Sequence, residues 1–320
     1  MKQILVMAPC RQEHREMLEQ AAQGSCHFIY NEHPSLSDIE SAEVIIGQPA
    51  IPMLQDCTRL QWVQMTCAGA DMYTRFPGFP EQVTLTTASG AFGSVIAEYA
   101  FAGILSLFRH LSSYREQQQL AVWQDCGPER TIEGSEVLIL GAGDIGENIA
   151  QRMHAFGASV TGIRRTVCDL PEGFDAMAGM HALDALLAQA DIVVCCLPHT
   201  PETVHLLNRE RLMRMKPEAV LVNVGRGTLI DTNALADVIA NGHLLGAVLD
   251  VTDPEPLPVD HPLWSFDRVV LTPHIAGPSF HHSPLTEDKI FRICSDNLSC
   301  YLAGQPLHNV VNWQTGYSTP

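Results

Sequence analysis

The stretch Glu136–Gly146 reads EVLILGAGDIG and sets the expected fold of the chain. Its first five residues form a short run typical of a β-strand, and a helical pattern follows from Ile145 to Phe156. The three glycines therefore stand between a strand and a helix, as in the G-x-G-x-x-G turn of a dinucleotide-binding βαβ unit. The pattern predicts that this turn binds a dinucleotide.

Each residue of the turn has an expected task. Gly141 permits the tight turn, Gly143 lets the backbone approach a pyrophosphate, and Gly146 lets the helix pack closely on the strand. The N-terminus of the helix stabilises the anion. We expect cofactor contacts from Gly141, Gly143, Asp144, Ile145 and Gly146. A merely structural glycine turn is the alternative.

Strand-like runs alternate with helical segments along the rest of the chain. Early runs lie at 3–7, 44–47, 62–65 and 83–86, with a helical stretch at 11–23 and a longer one from 97. Later runs lie at 159–163, 192–197, 219–224, 245–251 and 269–272, and helical segments at 181–189, 232–241 and 286–302, before a polar tail. This alternation predicts an α/β fold with a doubly wound parallel sheet.

Composition limits the kinds of partner that we expect. The chain has 320 residues, 46% of them hydrophobic, which is enough for two domains. Its net charge is −17, so no basic face suits nucleic acid. We find no membrane-length apolar stretch, and the run 4–7 is too short for a signal peptide, so we expect no membrane partner and a cytoplasmic location.

The ten cysteines are spaced irregularly, without a C-x-x-C pair or a zinc-site pattern. We interpret them as reduced thiols, mostly in the core, including Cys168. We expect no bound metal.

The strand expected at 159–163 is followed by Arg164 and Arg165. An acidic residue at this position would accept hydrogen bonds from the ribose hydroxyls of an unphosphorylated dinucleotide. Two guanidinium groups suit a 2′-phosphate by charge and by geometry. The sequence therefore predicts that NADP(H) is preferred and NAD(H) is possible. Two solvated loop arginines are the alternative.

Three segments at the ends of later strands each bring one ionisable residue to the same edge. VNVGRG (222–227) contains Arg226, LDVTDPEPL (249–257) contains Glu255, and LTPHIAG (271–277) contains His274. Open α/β sheets bind ligands at the carboxyl ends of their strands. Taken singly, each residue could instead be structural: a helix-end cation, a loop carboxylate or a buried histidine.

Together these motifs resemble the D-isomer-specific 2-hydroxyacid dehydrogenase family. The resemblance also includes LPHTPET (197–203), the helix start at 97–99 and AGAD (68–71), so it covers most of the chain. It implies a Rossmann domain inserted into a smaller, flavodoxin-like α/β substrate domain, usually in a homodimer. We place the substrate domain at 1–96 and 284–320, and the dinucleotide-binding domain at 97–283.

The chemistry of the three residues agrees with the resemblance. Reduction of a 2-oxo acid needs a cation for the carboxylate and the carbonyl, which Arg226 would supply. It also needs a proton, which His274 would donate, while Glu255 would orient the ring and favour the imidazolium form. We therefore expect Arg226, Glu255 and His274 to be catalytic.

Other positions carry over from the family by resemblance. Ala68 and Gly69 would meet the substrate carboxylate through their backbone N–H groups, together with Arg226 and His274. Further cofactor contacts would come from Leu197, Pro198, Val224 and Asp250, the last facing the nicotinamide amide or acting as a buried cap. Trp123 resembles a tryptophan that reaches the partner's active site, or it packs in the core. We interpret His199, His281 and His282 as non-catalytic.

The leading hypothesis is an oxidoreductase that transfers a hydride between NADPH, or NADH, and a small 2-oxo acid such as glyoxylate or hydroxypyruvate, giving the D-2-hydroxy acid. A phosphoglycerate dehydrogenase-like enzyme is the second hypothesis. Arg59 and Arg75 are available for a phosphate, but no regulatory domain follows residue 320. A formate dehydrogenase would have glutamine in place of Glu255. A dinucleotide-sensing corepressor is the non-enzymatic alternative.

Overall fold

The structure is a computed structural model that describes residues 1–165 and 170–318. It divides into two compact units, Met1–Phe92 with Pro278–Pro320, and Gly93–Gly277. Both ends of the chain therefore contribute to the first unit. The assignment of substrate and dinucleotide to these units stays a prediction, and Cys168 lies outside the described residues.

The elements are numbered in chain order. The strands are β1 (Lys2–Val6), β2 (Cys26–Tyr30), β3 (Val44–Ile46), β4 (Trp62–Gln64), β5 (Thr84–Thr86), β6 (Glu136–Leu140), β7 (Ser159–Ile163), β8 (Ala176–Ala178), β9 (Ile192–Cys195), β10 (Val220–Asn223), β11 (Gly246–Leu249), β12 (Val269–Leu271), β13 (Val311–Asn312) and β14 (Tyr317–Ser318). The helices are α1 (Gln12–Ala22), α2 (Leu36–Ser41), α3 (Asp71–Thr74), α4 (Gly93–Phe108), α5 (Leu111–Gln119), α6 (Asp144–Ala155), α7 (Leu183–Leu187), α8 (Arg209–Arg214), α9 (Thr232–Ala240) and α10 (Pro284–Leu302).

The first unit is built on a five-stranded parallel sheet with strand order β2-β1-β3-β4-β5. Helix α10 packs against α1, where the Phe291 ring stacks on the buried His14 ring at 4.2 Å. The short antiparallel pair β13–β14 follows α10, and its Val311 is buried in the core of the sheet. The last segment of the chain is therefore part of this unit's core.

The second unit contains a seven-stranded parallel sheet with order β12-β11-β10-β9-β6-β7-β8. Strands β9, β10 and β11 are buried along their whole length, because helices cover both faces of such sheets. The strand order reverses between β6 and β9. This switch point is where doubly wound sheets bind ligands, and it lies beside the glycine turn after β6.

The predicted fold class, parallel α/β with two sheets, is confirmed. Strands β2 and β8 were not predicted from the sequence; both are edge strands whose side chains are mostly half-buried or exposed. The prediction of a polar tail after the last helix is wrong for residues 311–318, because this segment contains β13 and β14.

None of the nine described cysteines forms a disulfide, and four are buried while five are half-buried. The thiols are thus less confined to the core than expected. In the described part of the chain, no helix is long and apolar enough to cross a membrane.

Candidate active site at the carboxyl edge of the second sheet

The glycine turn has the geometry that a pyrophosphate site needs. Gly141 adopts φ +106°, a conformation that other residues rarely adopt. A Cβ at Gly146 would collide with the carbonyl oxygen of Gly141, so close packing of α6 on the turn requires glycine there. At Gly143, the residue before α6, a Cβ would meet no described atom within 4 Å. The turn therefore leaves its backbone open to a ligand and fits a dinucleotide.

Asp144, the first residue of α6, uses its carboxylate within the fold. Its Oδ2 accepts a hydrogen bond from the backbone N–H of Gly93 at 2.8 Å, and Oδ1 accepts one from Asn148 at 3.2 Å. These bonds join the start of α6 to the start of α4. Ile145 is half-buried beside it. Cofactor contacts by these two residues stay a prediction.

Arg164 and Arg165 follow β7, the position at which residues that contact the cofactor ribose are expected. Arg164 is half-buried and donates its backbone N–H to the Ala178 carbonyl at 3.1 Å, whereas Arg165 is exposed. The pKa of Glu202 is lowered by a hydrogen bond from its own backbone N–H and by one from the Thr200 side chain. The positive charge of Arg165 acts in the same direction. Arg165 is thus close enough to Glu202 to affect its ionisation.

The turn after β9 is held by its own side chains. Leu197 and Pro198 are half-buried, and Thr203 donates from Oγ1 to the Pro198 carbonyl at 2.8 Å. His199 lies 2.8 Å from Thr228 Oγ1, measured from Nδ1. Leu197 and Pro198 therefore occupy a fixed turn at the switch point of the sheet.

Arg226 follows β10 on a loop that a buried asparagine holds. Asn223 is fully buried; its Oδ1 accepts from the Gly225 N–H at 3.1 Å, and its Nδ2 donates to the Arg226 carbonyl at 3.0 Å. Arg226 is half-buried and donates from Nη1 to the Gly225 carbonyl at 2.9 Å, while Val224 is buried. Asn223 was not among the residues predicted for the site, although a lone amide in an apolar strand indicates a paired polar group.

His274 and Glu255 form a pair. His274 Nδ1 lies 2.7 Å from Glu255 Oε1, and both side chains are about half exposed, at 49% and 44%. Because Nδ1 faces the carboxylate, Nε2 is the ring nitrogen available to a substrate. The structure thus brings together two of the three residues predicted to be catalytic, and Arg226 follows β10, which pairs with β11 in the same sheet.

Asp250 holds the loop that carries His274. The buried carboxylate accepts hydrogen bonds from Thr272 Oγ1 at 2.7 Å, from the Ile275 N–H at 2.8 Å and from the Ala276 N–H at 2.9 Å. His274 has φ +56°, and its N–H donates to the Asp250 carbonyl at 2.8 Å. The capping role is therefore present in the structure, and the nicotinamide contact stays a prediction.

Ala68 and Gly69 lie in the first unit, between β4 and α3. The Cys67 thiol donates to the Gly69 carbonyl at 3.3 Å and closes the turn. Among the described residues, the backbone N–H groups of Ala68 and Gly69 donate to no backbone carbonyl. Their contact with a substrate carboxylate stays a prediction.

Three other residues discussed from the sequence, Trp123, His281 and His282, lie outside these loops. Trp123 is fully exposed, so its alternative as a core residue is wrong. His281 and His282 lie in the turn before α10, where their backbone N–H groups bond to Glu287 Oε1 at 2.8 Å and to the Ser279 carbonyl at 3.1 Å. No group of three or more potential metal ligands occurs among the described residues.

The fold and this edge define a class of protein. An open glycine turn at the switch point of a doubly wound sheet, beside strand ends that present an imidazole, a carboxylate and a guanidinium, is the construction of a dinucleotide-dependent oxidoreductase.

Known proteins identify the family within that class. The profile described as "D-isomer specific 2-hydroxyacid dehydrogenase, NAD binding domain" matches residues 101–276. Glyoxylate/hydroxypyruvate reductase B of Pectobacterium carotovorum is 34% identical over 292 residues, covering 88% of each chain. The chain belongs to the D-isomer specific 2-hydroxyacid dehydrogenase family, whose members are NAD(P)-dependent oxidoreductases.

Solved structures agree over nearly the whole chain. A D-isomer specific 2-hydroxyacid dehydrogenase family protein from Aeromonas salmonicida superposes with a TM-score of 0.85 at 34% identity, covering 98% of this chain and 99% of the other. A family member from Xanthobacter autotrophicus, in complex with NADPH and MES, has a TM-score of 0.83 at 28% identity and covers 99% of both chains. The predicted family, enzyme class and nicotinamide dinucleotide cofactor are confirmed.

Proposed function

We propose that the protein reduces a short 2-oxo acid, such as glyoxylate or hydroxypyruvate, to the D-2-hydroxy acid, with NADPH as the preferred cofactor. The observation that carries the proposal is the His274–Glu255 pair, with 2.7 Å between Nδ1 and Oε1. The pair lies at the carboxyl edge of the seven-stranded sheet. The similarity to a glyoxylate/hydroxypyruvate reductase B supports the substrate class.

His274 donates the proton in this mechanism. Its Nδ1 is directed at Glu255, so the proton on Nε2 passes to the oxygen of the substrate carbonyl as that oxygen gains negative charge. Glu255 fixes the ring orientation before the transfer. Both side chains are partly solvated, so His274 can regain a proton from water.

Arg226 binds the substrate carboxylate and polarises its carbonyl. The guanidinium is a fork of donors that keeps its charge at any working pH, and it stabilises the developing oxyanion. Asn223 fixes the backbone on both sides of the arginine, since it accepts from Gly225 N–H and donates to the Arg226 carbonyl. The backbone N–H groups of Ala68 and Gly69, in the first unit, donate to no described backbone carbonyl, which suits the binding of an anion.

The cofactor would be held by the glycine turn and by the strand ends beside it. When bound, reduced nicotinamide supplies the hydride. The open backbone at Gly143 and the N-terminus of α6 suit the pyrophosphate. Arg164 and Arg165, which follow β7, would bind the 2′-phosphate, and the NADPH complex of the Xanthobacter relative supports this preference.

We also propose that the protein is a homodimer. The segment at the end of α5 exposes three large apolar side chains, Leu120, Val122 and Trp123, with relative exposures of 75%, 43% and 103%. Apolar surface of this kind is stabilised by burial against a second copy. The usual pairing of family members supports the same arrangement.

The phosphoglycerate alternative has less support. Arg59, one of its two candidate phosphate ligands, lies 3.5 Å from Glu43 in an exposed ion pair. A carboxylate at that distance offsets the charge that a phosphate would need.

The test is turnover of NADPH with a panel of 2-oxo acids that differ in side-chain length, scored by kcat/KM. We expect glyoxylate and hydroxypyruvate to be the best substrates, and His274→Ala to lower kcat by about 10²- to 10⁴-fold while NADPH binding persists. Near-normal kcat in His274→Ala would overturn the mechanism. Dinucleotide binding without turnover of any oxo acid would favour the corepressor alternative.

A further inference from the structure

A tyrosine of α4 contacts the loop that carries His274. Helix α4 packs against β11 and β12, and Tyr99 lies in its first half. The Tyr99 hydroxyl oxygen is 2.6 Å from Thr272 Oγ1, the residue that follows β12. Neither hydroxyl has a role in the mechanism above. The contact connects a helix to the loop through a single short hydrogen bond.

The direction of the hydrogen bonds follows from the partners. Asp250 already accepts from the N–H groups of Ile275 and Ala276, and a carboxylate only accepts, so Thr272 must donate to Asp250 Oδ1 at 2.7 Å. A hydroxyl has one hydrogen to donate. Thr272 therefore accepts from Tyr99. The two hydrogen bonds form a series in which Tyr99 donates to Thr272 and Thr272 donates to Asp250.

The tyrosine can donate at any pH where the enzyme works. Burial of the phenol raises the pKa of Tyr99 to about 12, and the nearby charge of Asp250 acts in the same direction, against the Thr272 hydrogen bond. The hydroxyl is thus protonated throughout the neutral range. Its bond to Thr272 is a permanent part of the site.

The series of hydrogen bonds ends at the loop of His274, whose backbone conformation needs support. His274 adopts φ +56°, a left-handed conformation that is uncommon for residues with a side chain. The two N–H groups after it, of Ile275 and Ala276, are bound by the Asp250 carboxylate, and its own N–H by the Asp250 carbonyl. Asp250 therefore determines where the imidazole of His274 lies, and Thr272 and Tyr99 determine where the carboxylate of Asp250 lies.

We propose that Tyr99 is a positioning residue for the proton donor: through Thr272 and Asp250, its hydroxyl fixes the left-handed loop that holds the His274 ring in place. This inference rests on the proposed role of His274. It assigns the segment 97–99, inside α4, a task beyond packing. Loss of the hydroxyl lets the ring sample orientations from which proton transfer fails, so kcat decreases while the cofactor still binds.

The experiment compares Tyr99→Phe, Thr272→Val, Thr272→Ser and the double variant Tyr99→Phe/Thr272→Val in the full-length enzyme. Tyr301→Phe is the matched control, because it removes a tyrosine hydroxyl that donates over the same 2.6 Å, to Gln61 in the first unit. For each variant, kcat and KM with glyoxylate, NADPH affinity by fluorescence and the melting temperature are measured.

We expect Tyr99→Phe to lower kcat roughly 3- to 10-fold, the effect of one lost hydrogen bond, with NADPH affinity within about twofold. Thr272→Val should lower kcat further, the double variant should match Thr272→Val, and Thr272→Ser should restore kcat because it keeps the hydroxyl. A general loss of stability would instead lower the melting temperature of Tyr99→Phe and Tyr301→Phe alike.

Two failures can be told apart. A kcat of Tyr99→Phe equal to that of Tyr301→Phe, in an enzyme that His274→Ala inactivates, overturns the positioning role alone. Multiplicative effects in the double variant also overturn it, because independent losses would mean that the two hydroxyls do not act in series. A normal kcat for His274→Ala overturns the proposed function and this inference with it.

Discussion

At the residue scale, the partly solvated His274–Glu255 pair determines how the proposed proton donor is oriented. Glu255 lies 2.7 Å from the imidazole, but both side chains are about half exposed, so water and salt weaken the attraction between them. The contact still holds the ring with Nδ1 towards the carboxylate and Nε2 away from it. The pair is therefore best tested by activity rather than by stability.

Glu255→Gln should lower kcat. A neutral amide holds the Nδ1 side of the imidazole less firmly than a carboxylate does, so proton transfer from Nε2 should become slower while NADPH affinity persists. The matched control is Asp253→Asn, which removes a carboxylate two positions away in the same loop, 3.9 Å from His205. Equal kcat values for Glu255→Gln and the wild type would show that the two side chains do not act together.

The residues proposed to be catalytic were easier to identify from the sequence than the residues that hold them. Arg226, Glu255 and His274 stand in short motifs, and their type and position suggested their chemistry. Asp250 was predicted to contact the nicotinamide or to be a buried cap, but its hydrogen-bond donors, Thr272, Ile275 and Ala276, lie more than twenty positions away in the sequence. Such partners meet only after the strands are paired, so the sequence alone does not show them.

At the element scale, the glycine turn after β6 combines two requirements that can be separated. Gly146 provides space for the Gly141 carbonyl, whereas Gly143 provides space for a ligand. One requirement concerns stability, and the other concerns binding.

Alanine substitutions should separate them. Gly146→Ala forces a Cβ against backbone, and overpacking of this kind costs about 1–3 kcal/mol of unfolding free energy. Gly143→Ala meets no described atom and sits in extended backbone, so stability should be retained while NADPH affinity falls. Denaturant unfolding and cofactor titration of both variants check this; equal stability of the two, or normal cofactor affinity in Gly143→Ala, would contradict it.

The end of β7 should decide between the two cofactors. Arg164→Asp removes the proposed donor to the 2′-phosphate and adds a repelling charge, so kcat/KM for NADPH should fall by roughly 10- to 100-fold, with less change for NADH. Arg292→Asp, the same charge change at an exposed site on α10, is the control. Measurements at low and moderate salt show how far the charge is screened. Equal use of both cofactors by the wild type would mean that these arginines only face solvent.

The sequence predicted the buried strands better than the exposed edge strands. Strands β9, β10 and β11 are apolar throughout, so their runs stand out from composition alone. The edge strand β8 has three residues with an exposed or half-buried side chain each, and its pairing with β7 supplies what its sequence lacks. Strands β13 and β14 have two residues each, too short for any period to be visible.

At the scale of the whole molecule, the apolar segment after α5 predicts how the chain assembles. Leu120→Glu places a charge in the proposed contact, so the variant should sediment as a monomer at concentrations where the wild type is a dimer. Val259→Glu, at a position that is 95% exposed elsewhere in the same unit, is the control and should leave the dimer intact. A wild type that sediments as a monomer over the micromolar range would make the homodimer proposal wrong.

The division into two units was within reach of the sequence only through the family resemblance. Composition suggested two domains, but it did not show that the ends of the chain join. The contacts that join them are single, distant pairs, such as Asn297 Nδ2 with Gln64 Oε1 at 2.8 Å and Ser295 Oγ with the Met17 carbonyl at 3.4 Å. Pairs of this kind leave no periodic pattern in a sequence.

The split construction of the first unit has a consequence for synthesis on the ribosome. Residues 1–92 emerge first, yet Gln64 and the α1 surface wait for α10, which is translated only after the whole of Gly93–Gly277. We therefore expect the later-made unit to fold first and the earlier-made one to fold last. Limited proteolysis of stalled nascent chains should show protection of 93–277 before protection of 1–92; the opposite order would show that the amino-terminal segment folds without its carboxyl-terminal helix.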